Sequence, residues 1–276
     1  MTRIESPSSI NTYNTCQRKY FYHYKLGLPL KDSLPTLTGK AVHAALEHFY
    51  TFDPATLNIH TYEEELRNHL LNSFNKAWVE AVPHLSQLGK DKDTIKEYYE
   101  DSLSMLGNFF QTFLSDVREH VKNSSLQKAF LTVRPETEVF LSSEHINIRG
   151  YIDAIHTHNG QTCILDYKTG RSDELTEEYK LQLAIYALLY QEQHKKLPDK
   201  LGLYFLRNGT QKYINVNQDL IDHARDQCSN VHSRTTSDNI EDYPKNLGSW
   251  CKWCDFKDYC FGQKTLIDYA STTREQ

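Results

Sequence analysis

The chain has 276 residues, of which 39% are hydrophobic and 24% charged, with a formal net charge of −5. That is enough to bury a full core, as one elaborated domain or two small ones, and it excludes general disorder. No stretch approaches about 18 uninterrupted apolar residues, so no membrane-spanning helix is expected, and the acidic balance excludes nucleic-acid binding by overall charge. Such binding would need a local basic groove, or divalent metals that bridge acidic side chains to phosphate.

The opening run Met1-Thr2-Arg3-Ile4-Glu5-Ser6 lacks the apolar stretch of a signal peptide, which makes the cytoplasm the expected location. Six cysteines in such a chain favour metal ligation over disulfides. Ser6-Pro7-Ser8-Ser9 reads as a helix start, with Ser6 as N-cap and Pro7 at the first helical position. This helix is expected to reach about residue 24 and to carry Cys16 near its middle. Its second half, from Arg18 to Lys25, interleaves basic and aromatic residues; it reads equally as a single-strand contact and as an amphipathic packing face. After a loop ending at Gly39-Lys40, a second helix carries His43 and Glu47 one turn apart. Residues 61–80 and 91–122 show helical periodicity.

The pattern changes near residue 129. Residues 130–134, 136–141, 146–156 and 162–167 read as four strands, with turns at Ser142-Ser143-Glu144 and His158-Asn159-Gly160. A helix follows from about residue 173 to 195. Strands at 201–206 and 211–216 flank Asn208-Gly209, and a helix near 218–233 leads through a polar linker to the last cysteines. The expected order is helices, then β-β-β-β-α-β-β, then a metal-bound tail: mixed α/β with a helical elaboration.

Asp153 follows Gly150-Tyr151-Ile152 on one strand, and Asp166 lies near the end of the next, so a hairpin turn brings the two side by side. Asp166 and Lys168 are two apart on an extended chain and share a face. Two carboxylates can hold a hard divalent cation, and the ammonium beside them can position water or stabilise charge on a transferring phosphate. His43, on a helix expected to pack against the sheet, would complete the metal's protein ligand set. Gln182 and Tyr186, one turn apart on the following helix, are expected to face the same cleft. Glu136 and Glu138 project from a neighbouring strand, and one of them, Glu138 by preference, is expected to enter the site.

Cys251, Cys254 and Cys260 form a C-x2-C-x5-C run, and Cys16 is the one plausible fourth partner. Four thiolates can close on an Fe–S cluster or on zinc, and thiolate chemistry alone does not separate the two. Either centre would staple the two ends of the chain together. Cys163 reads as a core thiol, and Cys228 has no partner in view.

Together these residues resemble the PD-(D/E)XK nuclease superfamily, in the branch of RecB- and AddB-type nuclease domains and CRISPR-adaptation nucleases. The resemblance rests on Gly39-x3-His43, Gly150-Tyr151-Ile152-Asp153, Asp166-Tyr167-Lys168-Thr169-Gly170 and Gln182-x3-Tyr186. It extends to the Ser-Pro-Ser-Ser-Ile helix with its cysteine and to the cysteine tail. Gln17 stands where proline often follows the first cysteine, and Ile152 precedes the first aspartate where the superfamily name has proline; neither removes a ligand. The resemblance implies a restriction-endonuclease-like mixed sheet flanked by helices, with residues 31–60 and 125–240 as nuclease core and 61–124 as a helical insertion. It further implies that residues 1–30 and 245–276 hold a [4Fe–4S] cluster through Cys16, Cys251, Cys254 and Cys260. The implied activity is a Mn2+- or Mg2+-dependent deoxyribonuclease, its ion held by His43, Asp153, Asp166 and the Tyr167 carbonyl, acting as an exonuclease on single strands or ends in repair or CRISPR adaptation. A weakly catalytic component that binds DNA ends within a larger assembly is the alternative. No G-x4-G-K-[ST] loop occurs in these residues, so unwinding by ATP hydrolysis is not expected, and a helicase or adaptation partner is.

Overall fold

The structure, a computed structural model, describes residues 3–264; the expected cluster region is therefore described only as 3–30 and 245–264. Helix α1 (Pro7–Thr15) starts as expected: the Ser6 hydroxyl accepts the Ser9 amide and the Ser9 hydroxyl accepts the Ser6 amide, a reciprocal capping box. It does not continue to residue 24. Cys16 is extended, at φ −161° and ψ 112°, and the chain resumes as α2 (Gln17–Tyr20) followed by a π-helical turn (Phe21–Lys25). The break is compensated by long-range bonds. The Arg18 amide donates to the Pro244 carbonyl at 3.2 Å, and Arg18 Nε donates to the Tyr243 carbonyl at 2.7 Å. Tertiary partners near the C-terminal end thus take over what an uninterrupted helix would have supplied locally.

Helix α3 (Leu34–Phe49) is capped by Ser33 and buries Ala41, Val42, Ala45, Leu46 and Phe49, a 3.6-residue stripe. Gly39 sits on this helix where an added Cβ would meet Thr169 Oγ1 at 3.0 Å, so the glycine lets the helix close on the segment after Lys168. Helices α4 (Tyr62–Gln87) and α5 (Lys92–Val121) are the expected helical elaboration. The buried face of α5 repeats at Ser102, Met105, Leu106, Phe109, Phe110, Phe113, Leu114 and Val117. Phe49 meets Phe113 edge-on at 4.9 Å, and one continuous core joins α3, α4 and α5 to Leu165, Tyr167 and Tyr204 of the sheet.

Residues 130–134 are not a strand. Residues 130–133 belong to α6 (Leu126–Val133), whose C-cap is Arg134 and whose N-cap Ser125 accepts the Lys128 amide. Its buried residues Leu126, Ala129, Phe130 and Val133 recur at helical spacing. The apolar run is short enough to read either way, and the cap plus this longer spacing decide it.

Among the described residues five strands form one sheet in chain order: β1 (Glu136–Ser143), β2 (Ile148–His158), β3 (Gln161–Lys168), β4 (Lys200–Phe205) and β5 (Thr210–Ile214). Pairing is antiparallel except between β3 and β4, which the crossover helix α7 (Glu177–His194) makes parallel. The β2–β3 turn has Asn159 at φ 50° and Gly160 at φ 79°, as a tight hairpin requires. Helix α7 buries Leu181 and every residue from 183 to 190, because the sheet lies on one side of it and α1 and α8 (Gln218–Arg234) on the other. A short α9 (Lys257–Cys260) lies in the cysteine segment. No helix among the described residues is long and apolar enough to cross a membrane.

Candidate active site

The β2–β3 ladder runs from His158↔Gln161 to Ala154↔Leu165 and ends there. Beyond it the strands part, and Asp153 Oδ2 accepts the Tyr167 amide at 2.7 Å across the gap. On the other side of β2, the β1 ladder is regular except at Glu138, which lies between the pairs Thr137↔Ala154 and Val139↔Ile152. Glu138 has φ 48°, a left-handed conformation that strains any residue with a Cβ. Here it has a chemical result. The ligand atoms of His43, Glu138 and Asp153 all lie within 4.8 Å of one another. Glu136 is exposed and stands outside this group. His43 reaches in from α3 with Nδ1 at 3.6 Å from Asp153 Oδ2 and its ring edge-on to Tyr167.

A second set of contacts backs the first. Lys168 Nζ lies 2.7 Å from Asp166 Oδ2 and donates to Gln182 Oε1 at 2.7 Å. Gln182 Nε2 donates to Asp166 Oδ1 at 3.0 Å and to the Tyr186 hydroxyl at 2.9 Å. Gln182 and Tyr186 face the cleft because they are one turn apart on α7. Gly150 allows the close approach: a Cβ there would meet the Tyr186 ring at 3.3 Å.

Electrostatics mark the group as one that calls for a cation. Burial, then the Asp153 charge, push the Asp166 carboxyl up to about 6, against the lowering effect of Lys168. Burial and the charges of Asp153 and Glu47 raise Glu138. Burial lowers His43, but the hydrogen bond and charge of Asp153, with Asp166 and Glu138 behind it, outweigh that and raise it. Asp166 Oδ2 is buried and makes no hydrogen bond; its contact with Lys168 is an ion contact only. A divalent cation fits such a cluster, since it relieves the repulsion among three carboxylates. His43, Glu138 and Asp153 are placed to hold it, with Asp166 adjacent.

The four cysteines are also brought together. Cys16, Cys251, Cys254 and Cys260 line one cavity of about 220 Å³, bordered by Arg18, Lys19, Lys245 and Lys257. Burial, with the charge of Cys16, raises the Cys254 and Cys260 thiols. Cys163 and Cys228 lie apart from it, their thiols pushed by burial up to about 11 and about 12 respectively.

A family model for the PD-(D/E)XK nuclease superfamily matches residues 5–261. The chain is 26% identical over 168 residues to the B polypeptide of the ATP-dependent helicase/deoxyribonuclease of Streptococcus agalactiae serotype Ia, covering 59% of this chain and 14% of that polypeptide. It is 30% identical over 121 residues to the Gene 69 protein of Mycobacterium phage L5, covering 42% of this chain and 40% of that protein. The chain therefore matches well under half the length of these relatives. A crystal structure of a candidate exonuclease from Eubacterium rectale superposes with a TM-score of 0.52 at 12% identity, over 92% of this chain and 87% of that one, a likeness of fold.

Proposed function

Because this chain belongs to the PD-(D/E)XK nuclease superfamily, we propose that it is a metal-dependent deoxyribonuclease acting on single-stranded DNA or frayed ends. The observation that carries the reading is the convergence of His43, Glu138 and Asp153 within 4.8 Å, beside the Lys168–Asp166 pair. A bound divalent cation would polarise the phosphodiester and make water a better nucleophile there.

The remaining roles belong to the chain's own side chains. Asp153 is held in place by the Tyr167 amide. Lys168, fixed between Asp166 and Gln182, presents an ammonium to the phosphate and stabilises the charge that grows on it. Gln182, held in turn by the Tyr186 hydroxyl, positions that lysine and Asp166. The histidine ligand favours a transition ion such as manganese over magnesium.

The cysteine cavity we assign to a structural [4Fe–4S] cluster. Four thiolates lining one cavity are the donor set that such a cluster takes. The surrounding lysines and arginine offset the negative charge of four thiolates. The streptococcal relative is part of a helicase/deoxyribonuclease, which supports a helicase partner for this chain as well.

The test is cleavage of end-labelled single- and double-stranded DNA and of a circular single strand, with magnesium or manganese, beside Asp166→Ala. Metal-dependent cleavage that the substitution abolishes supports the reading, and the circle separates exonuclease from endonuclease action. Absence of cleavage by protein with an intact cluster would replace it with that of a DNA-end-binding component of a larger assembly.

A further inference from the structure

Two large aromatic rings next to the acid cluster are left uncovered. Phe140 and Tyr151 are 47% and 59% exposed, are direct cross-strand partners in β1 and β2, and hold their ring centroids 5.0 Å apart. Their strand neighbours show which way they face. Leu141, Ile152 and partly buried Val139 pack into the core beneath α7, and a Cβ on Gly150 would meet Tyr186 and Leu189. Phe140 and Tyr151 therefore stand on the opposite face of the sheet, the face on which α3 delivers His43. Each lies two residues from an acid of the site: Tyr151 from Asp153, and Phe140 from Glu138. For Tyr151 on its extended strand that is about 7 Å, roughly one nucleotide of a stretched single strand. Two residues further along the same face, Arg149 is exposed.

Resting on the nuclease reading above, we propose that Phe140 and Tyr151 form a stacking platform for the base adjoining the scissile phosphate, with Arg149 receiving the next phosphate. The occupant is single-stranded DNA of any sequence, because every base has a π-face and none of these three residues is arranged to read a base edge. Bases of an intact duplex are stacked on one another and present no face to the pair. The platform would thus set the preference for single strands that the acid cluster, which sees only phosphate, cannot set. As a cross-strand pair the two tilted rings already support the hairpin, and about half of each residue stays open to a ligand.

Binding of a labelled oligothymidine is measured by fluorescence anisotropy in EDTA, where no cleavage occurs, together with oligonucleotides carrying one abasic site at successive positions. Phe140→Leu/Tyr151→Leu keeps the apolar cover of the hairpin and removes the π-faces; Tyr151→Trp keeps a stacking surface. The double leucine variant is expected to bind about 10-fold or more weakly. Tyr151→Trp should bind like the unaltered protein, which should also lose affinity when the abasic site falls at one particular position. Equal affinity of the leucine variant, or no abasic penalty at any position, would overturn the platform. Manganese-dependent cleavage lost in Asp166→Ala reports separately on the nuclease reading. A protein that cleaves but ignores abasic sites keeps that reading and loses the platform. One that shows the abasic penalty without cleavage does the reverse.

Discussion

Asp153 and Tyr167 are joined where their strands separate: the Asp153 carboxylate accepts the Tyr167 amide at 2.7 Å, just past the last β2–β3 pair. One oxygen of the acid is thereby committed to holding the fork, and the carboxylate as a whole is fixed beside His43 and Glu138. Asp153→Asn keeps an oxygen that can accept the amide but loses the charge. The fold should survive, seen as an unchanged circular dichroism spectrum, while cleavage falls by about 10³-fold or more. Cleavage within a few-fold of the original rate would remove Asp153 from the metal site.

Gln182 links Lys168, Asp166 and Tyr186 through three hydrogen bonds. Gln182→Ala should lower kcat by about 10- to 100-fold, the usual cost of freeing a residue behind a metal site, with little change in KM. Tyr186→Phe removes only one of the three bonds and should cost less. Steady-state kinetics on a single-stranded substrate check both, and the idea fails if Tyr186→Phe proves the more damaging.

The choice of metal tests the proposed histidine ligand, His43. Manganese should support cleavage at least as well as magnesium. Activity with magnesium alone, and inhibition by manganese, would mean that His43 is not a ligand.

The cysteine cavity joins residue 16 to residues 251, 254 and 260, so a centre bound there closes a loop of nearly the whole chain and restricts the unfolded state. Cys254→Ala should lose the visible absorbance of the cluster and lower the midpoint of denaturation together. A variant without the cluster but with full stability would refute the staple.

His156 lies on β2, away from the site, and burial lowers it to about 4. A histidine that resists protonation in the folded state, and titrates near its ordinary 6.5 when unfolded, contributes stability that is fully present above pH 6.5. That stability is lost as pH falls from 6.5 towards 4. Between pH 7.5 and 4.5 the loss is about 2.5 kcal/mol at most. His156→Gln should remove this part of the pH dependence in urea denaturation. Parallel pH profiles for the two proteins would show that His156 titrates normally.

Much of the site could be read from residue spacing because local periodicity governs it. Asp166 and Lys168 share a face because a strand alternates, Gln182 and Tyr186 because a helix repeats every 3.6 residues, and Ser6 and Ser33 begin helices through their own side chains. The glycines of the motifs acquire their physical meaning only in three dimensions, where Gly39 meets Thr169 and Gly150 meets Tyr186.

Other features depended on partners far away in the chain. The helix stops at Cys16 because Arg18 binds the carbonyls of residues 243 and 244. Glu138 turns into the site through a left-handed backbone that no neighbouring residue calls for. Phe140 and Tyr151 become one surface because the β1–β2 register sets them opposite each other. The amino-acid sequence by itself determined most of the helices and strands and the residues of the motifs, since each of these follows from short-range spacing and side-chain chemistry. Tertiary structure alone decided which glutamate stands beside His43 and Asp153, where the first helix breaks and which aromatics pair across β1 and β2, because strand register, backbone conformation and long-range hydrogen bonds settle them.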